Sequence, residues 1–119
     1  MYKEPLADCG EVRCLVRRGP RDLPGMASAR RVAEGLLKDR LAACINIVSG
    51  LKSLFWWKGK LEEADEVLLV VKTRLALVRD LVAKVKELHP YEVPEVIALP
   101  IVEGSGDYLS WLGEEVREA

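Results

Sequence analysis

One imidazole, three thiols and two carboxylates close to the imidazole are the residues of this chain best suited to chemistry. His89 is the only histidine, and a neutral imidazole is a good ligand for copper or zinc. Glu92 and Glu95 follow it closely and offer hard oxygen ligands. One histidine builds no closed site by itself, so a metal centre at His89 needs Cys44, a carboxylate such as Glu92, or a second subunit as co-ligand. The plainer reading of His89 is a polar helix end that anchors the turn into Pro90. The plainer reading of Cys44 is packing, because a buried thiol usually behaves as a small hydrophobe. A second grouping, Lys72, Tyr91, Glu92 and Trp57, suits a small anionic or amphipathic ligand held between subunits. In that setting Glu92 and Glu95 serve equally well as rim charges or as partners of Lys72.

Catalysis finds little support. The sequence has no Ser/His/Asp order with a nucleophile signature, no glycine loop that cradles phosphate and no zinc-type cysteine spacing. Gly104-Ser105-Gly106 is too short to count as such a loop. The chain reads as a non-enzyme.

With 119 residues there is room for one domain with one core. Half the residues are apolar and 31% are charged, which suits a folded protein. The 18 basic and 19 acidic residues leave a net charge of −1, and no basic face favours nucleic acid. The longest apolar runs fall far short of the roughly 20 residues of a membrane helix. The N-terminus lacks the order of a secretory signal. Three cysteines cannot all pair within one chain, so free thiols point to a reducing compartment, the cytoplasm by default.

The elements that must position these residues can be read from residue periodicity. Ala29, Val32, Ala33, Leu36, Leu37 and Leu41 recur at helical spacing, with Ser28 as N-cap. From Ala43 to Trp57, Ala43, Ile45, Ile47, Leu51, Phe55 and Trp57 share one face by strict alternation. Cys44, Asn46, Val48, Lys52, Leu54 and Trp56 share the other. Lys58-Gly59 makes a tight turn, and Lys60–Thr73 returns as a second strand, apolar on both faces over Val67–Val71. Trp56 and Trp57 point oppositely, one expected in the core and one at a subunit contact. Arms of this length reach roughly 40 Å at about 3.3 Å per residue, longer than a compact domain, so another copy must cover the far end. A helix with Leu77, Leu81, Val85 and Leu88 follows and ends at His89-Pro90. Pro94–Ile101 reads as an edge strand, and Asp107 caps a last short helix. Before all this, Glu11–Arg17 alternates enough to be a strand, with Arg13 and Arg17 suiting an edge. The order becomes β-α-β-β-α-β with an extra C-terminal helix. That is an α+β, ferredoxin-like fold with two helices on one face of the sheet and an apolar face left over.

Particular stretches then match a family. Leu41-Ala42-Ala43-Cys44-Ile45-Asn46 with Ser53-Leu54-Phe55-Trp56-Trp57-Lys58-Gly59-Lys60 resembles the first long strand and hairpin tip of CutA proteins. Val67–Thr73 looks like their returning strand. His89-Pro90-Tyr91-Glu92-Val93-Pro94-Glu95 resembles their most recognisable signature, and Tyr108–Leu112 is similar to their C-terminal element. The resemblance covers about residues 24 to 113. It implies a tight homotrimer whose long hairpins lie across neighbouring subunits, with an architecture like that of PII signalling proteins. It implies a role in divalent-cation tolerance, with copper as the metal most associated with it, and no required cofactor and no catalysis. The expected metal ligands are then His89, Cys44 and Glu92. The expected cleft or trimer interface holds Trp57, Lys72, Tyr91, Glu92, Glu95, Tyr108 and Trp111. A PII-like sensor of small molecules at the subunit clefts and a ligand-free structural trimer are the alternative functions.

One departure stands out. Residues 17–23, where the family's first strand should lie, hold three arginines and a proline, which a central strand does not tolerate. Either Glu11–Arg17 replaces that strand with a longer loop behind it, or residues 1–23 are an atypical segment ahead of a domain at 24–119, from a frame error, a misplaced start or a cloning remnant. The second reading is preferred here. The first-strand cysteine ligand reported in some relatives falls at Arg21 by gapless counting, and Cys14 substitutes for it only under the first reading.

Overall fold

A computed structural model describes residues 8–17, 25–89 and 94–119. Four strands form one antiparallel sheet: β1 (Cys9–Val16), β2 (Cys44–Trp57), β3 (Lys60–Arg74) and β4 (Glu95–Pro100), in the order β2-β3-β1-β4. Helices α1 (Gly25–Lys38) and α2 (Val78–Leu88) connect them, α2 entered through a 3-10 turn at Leu75–Leu77. A C-terminal helix, α3 (Gly106–Glu115), completes the described elements. This is the split βαβ arrangement expected from the sequence.

The core lies between the sheet and α1 and α2. Val12, Cys14 and Val16 of β1 and Val67, Leu69 and Val71 of β3 face the helices, which send in Ala29, Val32, Leu36, Leu81 and Val85. Alternation therefore sends Glu11, Arg13, Leu15 and Arg17 to the opposite, open face. Gly35 lets α1 and α2 approach closely: a Cβ there would lie 2.4 Å from Leu88.

Several expectations need correction. The segment before residue 24 supplies a strand, and that strand is central rather than an edge: β1 pairs with β3 on one side and β4 on the other. Its arginines are tolerated because they share the open face, where Arg13 meets Glu11 at 2.8 Å and Arg17 meets Glu66 at 2.7 Å. Ser28 is no N-cap; it lies inside the first turn of α1, buried. The cap of α3 is Ser105, whose hydroxyl accepts from the Tyr108 N–H, while Asp107 sits in the first turn. The edge position of β4 is as read from its prolines.

The consequential correction is in β2. Val48 pairs with Leu68 but Leu51 with Glu66, so Ser49 and Gly50 together oppose one residue of β3, a β-bulge with Gly50 at φ 84°. An extra residue reverses the faces of everything beyond it. Ile45 and Ile47 pack on the helix-side core, whereas Leu51, Ser53, Phe55 and Trp57 continue the open face with Val48. Leu54 and Trp56 then lie on the helix side, past the helices, 63% and 73% exposed. Neither tryptophan of the pair enters the core.

The β2–β3 ribbon closes at Lys58-Gly59, both left-handed (φ 50° and 81°), the two-residue turn that matches strand twist. β1 reaches only as far as Val67, so residues 60–66 of β3 pair with β2 alone and overhang the sheet by roughly 23 Å at about 3.3 Å per residue. The chain measures 51 × 26 × 23 Å, with a radius of gyration of 15.1 Å against about 13–14 Å for a compact domain of this length.

Two substitutions test the bulge. Gly50→Ala meets no neighbour but must hold a left-handed backbone, and should cost about 1 kcal/mol in denaturant unfolding. Deleting Gly50 removes the extra residue but keeps Leu51 opposite Glu66, so Phe55 and Trp57 should stay on the open face and tryptophan emission should stay as in wild type. A shifted emission would show that the ribbon beyond Leu51 is not held in register by its pairing with β3.

Candidate functional site

The residues singled out in the sequence fall into three places rather than one. At one end of the open face, register puts Cys44, Lys72, Glu11 and Leu99 in a single row across all four strands. The Lys72 ammonium donates to the Asn46 side-chain carbonyl, not to Glu95. Helix α3 comes down beside this row. Burial raises the pKa of Tyr108, and the neighbouring half-buried Cys44 raises it further. Trp111 stacks obliquely on Tyr108, centroids 5.5 Å apart, and the two rings stay 40% and 41% exposed. The corner thus joins four of the expected residues: Cys44, Lys72, Tyr108 and Trp111.

Further along the open face, where the ribbon begins to overhang, a groove of about 580 Å³ is lined by Leu15, Arg17, Phe55, Trp57, Glu66 and Glu95, among others. The Arg17 guanidinium lies 4.6 Å from the centroid of Phe55 and 2.7 Å from Glu66, whose carboxylate is nearly buried. Removing the arginine would leave that carboxylate desolvated without its counter-charge. Sequence reading missed Arg17, Phe55 and Glu66 here. The signal for Phe55 was the glycine inside a strand pattern, which marks a bulge. Trp57 and Glu95 belong to this groove. Trp57 pairs with Lys60, so within one chain it stands roughly 40 Å along the ribbon from Lys72 at about 3.3 Å per residue. The proposed cleft of Trp57 with Lys72 does not form within a single subunit.

The third place is the helix layer. His89 closes α2 with its N–H on the Val85 carbonyl at 2.8 Å, and only 3% of it is exposed. Burial, with Arg31 nearby, pulls its pKa below the ordinary imidazole value. Cys44 lies across the sheet, near the start of α2, and the 11-residue helix carries the chain roughly 16 Å away at about 1.5 Å per residue. His89 and Cys44 therefore do not share an ion within one chain. Tyr91 and Glu92 lie outside the described residues. Among the described residues, no three His, Cys, Asp or Glu side chains converge as a metal site would require. Cys14 does sit on the first strand, but it faces the core, and burial reinforced by Glu95 pushes its thiol up to about 12. It is an inert thiol.

The pH behaviour follows from His89. With its folded pKa lowered, its contribution to stability is present above about pH 6.5 and is lost as the pH falls from there toward the folded pKa, since the unfolded chain takes up the proton first. The thermal midpoint should drop over that window in wild type and drop less in His89→Gln. Parallel profiles would remove His89 as the cause.

Comparison with known proteins fits this geometry. The family model described as CutA1 divalent ion tolerance protein matches residues 22–115. A "Divalent-cation tolerance protein CutA" of Thermus thermophilus is 50% identical over 92 residues, covering 77% of this chain and 89% of that protein. Its namesake in Pectobacterium atrosepticum is 38% identical over 117 residues, covering 98% of this chain and all of that one. The crystal structure of CutA1 from Oryza sativa superposes with a TM-score of 0.85 at 39% identity, covering 97% of this chain and 99% of that chain. The rice protein named "Protein CutA 1, chloroplastic" is longer, and the match spans 55% of its length. No helix among the described residues is long and apolar enough to cross a membrane. A central β1, a bulged long hairpin and a sheet bare on one face, joined with these matches, lead to one conclusion: the chain belongs to the CutA1 divalent ion tolerance protein family.

Proposed function

We propose that the chain works in divalent-cation tolerance as a non-catalytic homotrimer, with sister copies covering the open face of each sheet. The observation that carries this reading is the uncovered side of the sheet. Val48, Trp57, Ile97 and Leu99 are each 37–51% exposed there, on a ribbon that overhangs its own sheet. A two-stranded ribbon is marginal on its own in water, and a sheet face carrying this many exposed apolar side chains fits an interface. Assembly would also bring the overhanging Trp57 end of one copy toward the Cys44–Lys72 row of another, which one chain alone keeps far apart.

Any cation centre then takes ligands from outside the described set of one chain, and a second copy supplies them. Cys44 is the better candidate of the two principal ligands, half-buried on the face where copies meet, whereas His89 is shut into the helix layer. A thiol-containing site suits copper in its Cu(I) state, a soft ion, as it also suits zinc. The odd number of cysteines in the sequence supports a reducing compartment, which we take to be the cytoplasm.

Sedimentation equilibrium should give three times 13.3 kDa in dilute buffer. A monodisperse species of one chain length would end the assembly reading. In calorimetric titration with copper ions, Cys44→Ser should weaken binding about tenfold or more, as loss of a ligand or its support does, while His89→Ala leaves it intact. The reverse pattern would move the site to the helix layer.

A further inference from the structure

Helix α3 is held along one stripe, by a small core at Leu109 and Leu112 and by a latch just past its C-terminal end. Leu109 and Leu112 pack with Cys9 in a small satellite core beside the main one, against Ala43 and Ile101. Cys9 lies on the open face by alternation with Val12, and its thiol donates to the Leu109 carbonyl at 4.0 Å. Past the helix, Val116 reaches into the main core. There the Arg117 N–H donates to the Arg40 carbonyl at 2.9 Å. The Arg40 guanidinium in turn donates to the Glu115 backbone and side chain at 3.1 and 3.0 Å. The Arg117 guanidinium meets Asp80 at 3.0 Å. Ahead of the helix runs an irregular segment whose Val102 is 82% exposed, with Gly104 next to the Ser105 cap.

A ten-residue helix does not persist alone in water, and a satellite core of three buried residues holds it far less firmly than the main core holds β1. The exposed ion pairs at the latch contribute little each. Most of the hold falls to Val116 and the backbone bond to Arg40. From this arrangement we infer that α3 is a hinged cover that opens as a unit without global unfolding, pivoting at 102–104 and latched by Val116 and Arg117, and that Cys9 is the thiol it uncovers. The opening would also carry Tyr108 and Trp111 away from Cys44 and bare that end of the open face. It does not depend on the assembly reading, since hinge and latch lie within one chain.

The three cysteines supply a built-in test. Cys44 is already partly exposed, Cys9 lies under the cover, and Cys14 lies in the main core. Alkylation of the full chain by iodoacetamide in native buffer, read peptide by peptide by mass spectrometry, should proceed more slowly at Cys14 than at Cys9. Each thiol is compared with itself across variants, which cancels differences in intrinsic reactivity. Val116→Ala should speed modification of Cys9 about tenfold while leaving Cys14 unchanged, as loosening of one anchor predicts. Arg117→Ala should act in the same direction more weakly, and it serves where Val116→Ala compromises the fold. Equal acceleration of Cys9 and Cys14, or no acceleration of Cys9 in either variant, would overturn the hinged cover, because the thiol would then be reached only through global unfolding or not through α3.

Discussion

The extra residue at Ser49–Gly50 decides which side of the long ribbon faces which layer, and the character of the molecule follows from it. Up to Val48 the ribbon is an ordinary strand pair, with Ile45 and Ile47 turned toward the helices. Beyond the bulge, the large apolar residues Leu51, Phe55 and Trp57 are handed to the open face instead. With strict alternation they would have projected past the ends of α1 and α2 with nothing to meet. The bulge lets them extend an apolar surface that begins on the sheet itself, at Leu15, Leu68 and Val70.

That surface carries its charges in neutralised form. Arg13 is answered by Glu11 within its own strand, and Arg17 by Glu66 across the sheet and by the face of Phe55. A guanidinium paired in this way enters a covered environment at far smaller cost than one left alone. The arginines that look out of place in a strand are thus consistent with a central position, provided they all point the same way. Alternation ensures that they do.

Separation of the candidate ligands is the other organising fact. The helix layer closes over His89, the main core over Cys14, and the open face keeps Cys44 beside Lys72 and Tyr108. Residues near one another in sequence, such as His89 and Glu95, are divided between the two sides of the sheet. Residues far apart, such as Cys44 and Tyr108, are brought into contact by α3. The candidate residues in this fold are therefore sorted by face rather than by nearness in sequence.

The sequence by itself determined the order of elements, the amphipathic helices and the edge position of β4, because helical and strand periods are local properties of residue type. Leu36 and Leu81 could be placed in the core from spacing alone. It did not determine the central place of β1, since Arg13 and Arg17 argue against it until the open face is known to hold Glu11 and Glu66. Nor did it determine the faces of Phe55 and Trp57, since a single inserted residue inverts alternation without changing composition. The corner of Cys44, Lys72, Tyr108 and Trp111 and the groove at Arg17 also belong to tertiary structure alone. Both are made by residues distant in sequence, whose meeting is set by strand register and by the docking of α3.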